Sequence, residues 1–184
     1  MPVQIGEKPG HDFAQPIGLL SDCHRRIERF LDVLVKLAAE LCGGEMNHEQ
    51  RLAFNGALTY FRVAAPKHTA DEEISLFPRL RAAGSAEGYE VLAELARLEA
   101  DHVRADRLHL EVDRLGNAWL HEGRLPSESA ERLRAKTEEL RTIYKAHIEA
   151  EDHRVFPFAA RVLGAEAQRE IGREMAARRD IGHS

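Results

Sequence analysis

Two stretches of the 184-residue chain carry the same spacing of metal-binding side chains. These are His68-x3-Glu72-x4-Phe77-Pro78 and, seventy-nine residues on, His147-x3-Glu151-x4-Phe156-Pro157. Side chains four residues apart lie one above the other on one face of an α-helix, so each pair can put a nitrogen and a carboxylate into one cavity. Two more histidines obey the repeat: His24 precedes His68 by forty-four residues, and His102 precedes His147 by forty-five. The chain reads as a duplicated helical hairpin, with a lone His on the first arm of each half and His-x3-Glu on the second. Four imidazoles and two carboxylates suit two cations of intermediate hardness, each taking two nitrogens, with the carboxylates bridging. Iron fits this set best, since zinc favours a closed tetrahedral site and magnesium or calcium would want more oxygen. Six protein donors leave positions on two octahedral ions for water, oxygen, peroxide or nitric oxide.

A single inward His is more often a hydrogen-bonded core residue than a ligand. Six positions in a repeated register reverse that expectation, because two buried carboxylates without a cation would face a large desolvation penalty. Ligation is therefore assigned to His24, His68, Glu72, His102, His147 and Glu151. His109, two turns beyond His102, is expected in the core or in a layer outside the ligands, and Tyr144 either to line the cavity or to pack. Asp71, Glu73, Glu149, Asp152 and His153 read as solvated neighbours of the motif. His11, His48, His121 and His183 lie near element ends, too far along to reach the cluster. Cys23 points about 100° away from His24 and reads as packing. Glu99-x2-His102 has the spacing of ferritin-like di-iron bundles, but Tyr144 stands at the equivalent place in the other half, so ferritin is discounted.

The elements that must hold these residues are helices. Leu20, Cys23, Ile27, Phe30, Leu34, Leu37 and Leu41 recur at steps of three and four, and Gly43-Gly44 stops that stripe. A second stripe runs Phe54, Leu58, Phe61, Ala65, with His68 and Glu72 on the same steps. Pro66 should bend it just before His68, and it should end near Phe77-Pro78. After a loop around Arg81 to Gly88, a third stripe passes Leu92, Leu95, Leu98, His102, Ala105, His109 and Val112 toward Trp119, closed by Gly123 and Pro126. Ser127 opens a fourth, through Leu133, Thr137, Leu140, Tyr144, His147, Glu151 and Val155, punctuated by Pro157 and Gly164. AEAQREIGREMAARR then reads as a short amphipathic helix. The fold class is all-α: an antiparallel up-down-up-down four-helix bundle with a short C-terminal helix, residues 17–184, preceded by an N-terminal arm, 1–16. The lone histidines and their partners lie about equally far from the Gly43-Gly44 and Gly123 turns, which brings all four to one height.

Net charge is −5, with acidic and basic residues interspersed, which speaks against nucleic acid as a partner. No stretch has the pattern of a secretory leader or a membrane span, so a cytoplasmic protein without membrane association is expected. Cys23 and Cys42, nineteen residues apart on one helix and so about 28 Å apart, cannot pair.

The stretches DCHRRIERFL, KHTADEEISLFPRL, EADHVRADRL and KAHIEAEDHRVFPF resemble the hemerythrin-like family, the HHE cation-binding domains, over about residues 17 to 160. That resemblance implies a non-haem di-iron centre, with an oxo, hydroxo or water bridge, that binds oxygen or related small molecules. The oxygen-carrying members have a further His four residues after the third-helix His; this chain has Asp106 there. Asp106 would ligate, hydrogen-bond to His102, or do neither, and simple oxygen carriage is disfavoured. The iron-repair and nitric-oxide-responsive members carry a cysteine-bearing N-terminal domain, and no such stretch precedes the bundle here. Three roles remain in view: binding or sensing oxygen, peroxide or nitric oxide; turning over peroxide or nitric oxide as a stress-defence enzyme; and storing or handling metal. Homodimerisation and a separate signalling or redox partner stay open.

Overall fold

A computed structural model describes residues 10–83 and 89–181. Those residues are helical, with no strand among them: α1 (Pro16–Leu41), α2 (His48–Val63), α3 (Ala65–Ala70), α4 (Phe77–Ala82), α5 (Tyr89–Glu122), α6 (Ser127–Ala150), α7 (Phe156–Val162) and α8 (Ala165–Ala177). Two wider π-helical turns, Asp71–Leu76 and Glu151–Val155, join α3 to α4 and α6 to α7. Residues 1–9 of the N-terminal arm and residues 84–88 of the Arg81–Gly88 loop lie outside the described residues, as does His183; Arg81 and Ala82 themselves are helical.

The chain forms two compact units. One comprises Arg26–Ala65 and Val103–Lys145. Its core buries Ile27, Leu34, Phe54, Leu58, Phe61, Val112, Trp119, Leu133 and Leu140, the residues on the periodic stripes. Asn47 caps α2 in a reciprocal box with Gln50. Gly43 sits at φ +79, and a Cβ there would lie 2.7 Å from Cβ of Ala130 and 2.9 Å from the Leu125 carbonyl, so only glycine suits both the backbone and the space. Its carbonyl accepts from Leu125 N, and the Gly44 carbonyl accepts from the Trp119 indole. Cys42, expected on the first helix, lies just past its end at φ 46.

The other unit comprises the segment up to Arg25, Pro66–His102 and the chain from Ala146 on. Leu19, Leu20, Leu76, Phe77, Leu80, Leu95, Leu98, Phe156, Phe158, Ala159, Ile171 and Met175 form its apolar core. The expected C-terminal helix is present as α8, with Ile171 and Met175 buried.

Proline behaviour departs from expectation at two places. The break before His68 occurs at Ala64, with Pro66 in the first turn of the new helix, as predicted for a bend. Pro78 and Pro157, expected near helix ends, instead sit in the first turns of α4 and α7, and the helical path continues to Ala82 and Val162. The π-turn ahead of each explains this. Phe77 N bonds to the Glu72 carbonyl and Phe156 N to the Glu151 carbonyl, five residues back. A new helical segment thus begins at each phenylalanine, and proline is tolerated in a first turn because its missing N–H would have no partner there.

Candidate metal centre

All six residues assigned from the repeat fall in the second unit. They are buried, with His24, Glu72 and Glu151 fully enclosed and His68, His102 and His147 at most 7 % exposed. α1 supplies His24, α3 and its π-turn His68 and Glu72, α5 His102, and α6 and its π-turn His147 and Glu151. Glu72 is the second residue of one π-turn and Glu151 the first of the other, and such turns are frequent at functional sites.

Nε2 of His24 is 3.1 Å from Glu151 Oε2 and 3.9 Å from Glu72 Oε1. His68 Nε2 is 3.0 Å from Glu72 Oε1, His102 Nε2 3.3 Å from Glu72 Oε2, and His147 Nε2 3.2 Å from Glu151 Oε2. The Nε2 atoms of His102 and His147 lie 3.1 Å apart. The donors form two groups that could each hold a cation: His24, His68, Glu72 and Glu151, and Glu72, His102, His147 and Glu151. Both glutamates belong to both groups, with donor atoms within 4.8 Å of one another in each.

The donor atoms are poorly served by the protein alone. His24 Nε2 and both oxygens of Glu72 and Glu151 are buried without a hydrogen bond, and such groups normally have one. Burial alone would lower the histidine pKa values, but the carboxylates outweigh it. Glu72 brings His68 up to about 10, and Glu72 with Glu73 brings His102 up to about 9. His24 is likewise raised, by Asp152, Glu151 and Glu72. Burial would push Glu72 up, yet the surrounding histidines, His68 foremost, hold it well below the usual carboxylate range. A pocket that stabilises positive charge so strongly suits metal cations, which would compete with protons for the same lone pairs.

Around the six lies a layer of carboxylates that the sequence reading treated as solvated. Nδ1 of His24 donates to Asp152 Oδ1 at 2.9 Å; Ser21 donates to the same oxygen at 3.0 Å, and Arg25 bonds the other. Nδ1 of His102 donates to Glu73 Oε1 at 2.8 Å. Asp71, also expected in solvent, is fully buried and receives Arg178 at 2.7 Å and Arg179 at 2.6 Å. Asp71 therefore has its own cations and does not face water. A signal was available: Glu72-Glu73 and Glu151-Asp152 are acidic pairs in the same register of the repeat. Cys23 is buried, as a packing residue would be, and its thiol is close enough to His68 to help raise that residue's pKa.

Asp106 is exposed, so of its three readings the structure favours neither ligation nor bonding to His102, whose outer nitrogen is taken by Glu73. Glu99 pairs with Arg81 at 2.8 Å. Glu149 and His153 are exposed, as expected. His11 pairs with Asp22 and His121 with Glu122. In the first unit, His109 Nε2 and the Tyr144 hydroxyl are 3.0 Å apart and the His109 ring stacks on Phe61 at 4.3 Å, the core role expected for it. Burial pushes the pKa of His109 down to about 4.

An all-helical chain with four buried histidines around two shared glutamates has the features of a cation-binding helical protein. The hemerythrin HHE cation-binding domain model matches residues 15–159, and the chain belongs to that family. A Haemophilus influenzae protein described only as an uncharacterized protein is 29 % identical over 171 residues, 91 % of each chain. No described helix is long and apolar enough to cross a membrane.

Proposed function

We propose that this protein holds two iron ions through His24, His68, Glu72, His102, His147 and Glu151, in a bundle of the antiparallel up-down-up-down order expected from sequence, and that it binds or senses oxygen, peroxide or nitric oxide. The observation that carries the reading is the pair of four-donor groups sharing Glu72 and Glu151. His24 and His68 would serve one ion and His102 and His147 the other, with the two carboxylates common to both. Two nitrogens per ion plus shared carboxylate oxygens match the donor preference of iron. When bound, such a pair supplies open coordination positions and one-electron redox chemistry. The protein's part is to fix the imidazoles through Asp152 and Glu73, to enclose the site, and to supply the negative charge that holds the cations. Turnover of peroxide or nitric oxide uses the same cluster and is the second reading; exposure of Asp106 favours it over simple carriage, since no further protein donor takes up a coordination position there.

The test is metal analysis with an optical spectrum of anaerobically purified protein before and after addition of oxygen, peroxide or nitric oxide. Close to two irons per chain are expected, with a ligand-dependent charge-transfer band lost in His68→Ala or His147→Ala. A reversible band marks binding, and an irreversible one marks turnover. Less than one metal per chain after iron reconstitution would overturn the reading.

A further inference from the structure

The layer outside the six donors repeats with the two halves of the chain. Asp152, directly after Glu151, takes Nδ1 of His24; Glu73, directly after Glu72, takes Nδ1 of His102. Each half thus orients the lone histidine of the other half. In each half the residue directly before the lone histidine lies beside the His-x3-Glu histidine, Asp101 at ion-pair rather than hydrogen-bond distance. Asp101, before His102, places Oδ2 3.7 Å from Nδ1 of His147 and is itself held by Arg97 at 2.8 Å. Cys23, before His24, is 4 % exposed and neighbours His68. Here the repeat breaks: where His147 has a carboxylate, His68 has a thiol, and Nδ1 of His68 is buried with no oxygen or nitrogen to receive its hydrogen.

A carboxylate on the outer nitrogen of a metal-bound imidazole fixes the tautomer and raises the basicity of the inner nitrogen; its loss typically weakens metal binding by about 10–100-fold. A thiol is a weak acceptor and neutral when protonated. We infer that Cys23, standing where Asp101 stands in the other half, is a positioning residue that makes the two ion positions unequal, the one served by His24 and His68 binding its ion more weakly. The inference rests on the two-ion reading above and adds to it an order of loading. The position at His102 and His147 fills first, and the other is the one that empties when metal is scarce.

The experiment is an anaerobic titration of the full-length apoprotein with Co(II), following heat and the visible ligand-field bands. The wild type should take two ions in steps separated by about 10–100-fold in Kd. Cys23→Asp should close the gap by tightening the weaker step, and Asp101→Cys should close it by weakening the tighter one, each with apoprotein helicity unchanged by circular dichroism. Should Cys23→Asp fail to fold, Asp101→Cys at its partly exposed position decides alone. Two equal steps in the wild type, or a gap that survives the folded variants, would overturn the inference while leaving the two-ion reading intact. A thiolate-to-cobalt band would also overturn it, by making Cys23 itself a ligand. Fewer than two ions per chain would remove both.

Discussion

Asp152 lies 2.9 Å from Nδ1 of His24, although the two are 128 residues apart and only the histidine belongs to the predicted cluster. A carboxylate can only accept, so Nδ1 of His24 carries a proton and Nε2, facing Glu151 and Glu72, is the nitrogen whose lone pair a cation would take in place of a second proton. The same reasoning holds for His102 and Glu73. Two imidazoles are thereby oriented by residues outside the six candidate ligands.

Asp152→Asn and Glu73→Gln keep the shape and remove the charge. Each is expected to weaken metal binding by about 10–100-fold while leaving the helical fold in place. Competition with a chromophoric chelator measures the change. Affinities matching the wild type would mean that these carboxylates do not tune the centre.

The Asp71 pair with Arg178 and Arg179 ties the end of α8 to the residue before Glu72. Removing both arginines strands a fully buried carboxylate, so Arg178→Ala with Arg179→Ala should destabilise by about 3 kcal/mol, the low end for breaking a buried pair. In an Asp71→Ala background the same change should matter far less. Urea unfolding of the four combinations gives the coupling directly, and additivity would show the pair to be energetically idle.

His109 supplies a pH signature separate from the candidate metal donors. Its folded pKa of about 4 lies below the ordinary value of 6.5, so between those values the unfolded chain binds a proton that the folded chain refuses. Stability from this group is therefore complete above about pH 6.5 and lost as pH falls toward 4, by at most about 3 kcal/mol. His109→Gln can still hydrogen-bond to Tyr144 without titrating. The difference in unfolding free energy between wild type and variant should shrink between pH 7 and pH 5; a constant difference would refute the assignment.

Gly172 tests the seat of α8. Alanine in a helix ordinarily gains up to about 1 kcal/mol over glycine. Here the added Cβ would lie 1.9 Å from the Phe13 carbonyl oxygen, a backbone atom that cannot turn aside. Overpacking of about 1–3 kcal/mol should win, so Gly172→Ala is expected to lower the melting temperature.

The helices and the six inward donors were legible because periodicity and a duplicated spacing both survive in the linear sequence. Leu95, Leu98, His102 and Ala105 are buried on one stripe, as are Leu133, Thr137, Leu140 and His147. What escaped had no such signature. Asp71, Glu73 and Asp152 look like ordinary acidic residues of an exposed face, and their partners Arg178, His102 and His24 are 107, 29 and 128 residues away. The continuation past Pro78 and Pro157 escaped for a different reason. Proline signals a break under α-helical hydrogen bonding, and the five-residue bonds that accommodate it depend on the fold around them.

Those wider turns also impose a constraint on insertion and deletion. Between Glu72 and Phe77, and between Glu151 and Phe156, each holds one residue more than an α-helical bond would span. Deleting one residue from either would let Phe77 or Phe156 reach the same glutamate carbonyl by an ordinary four-residue bond and keep its facing, whereas inserting one would rotate everything beyond by about 100°, turning Phe77 and Leu80, or Phe156 and Ala159, out of the apolar core. After such an insertion the spacing of the candidate ligands upstream would be untouched, yet the wall behind them would face water. Each half of the chain is thus tuned in length as well as in residue type, and a single gained codon there should do more damage than a single lost one.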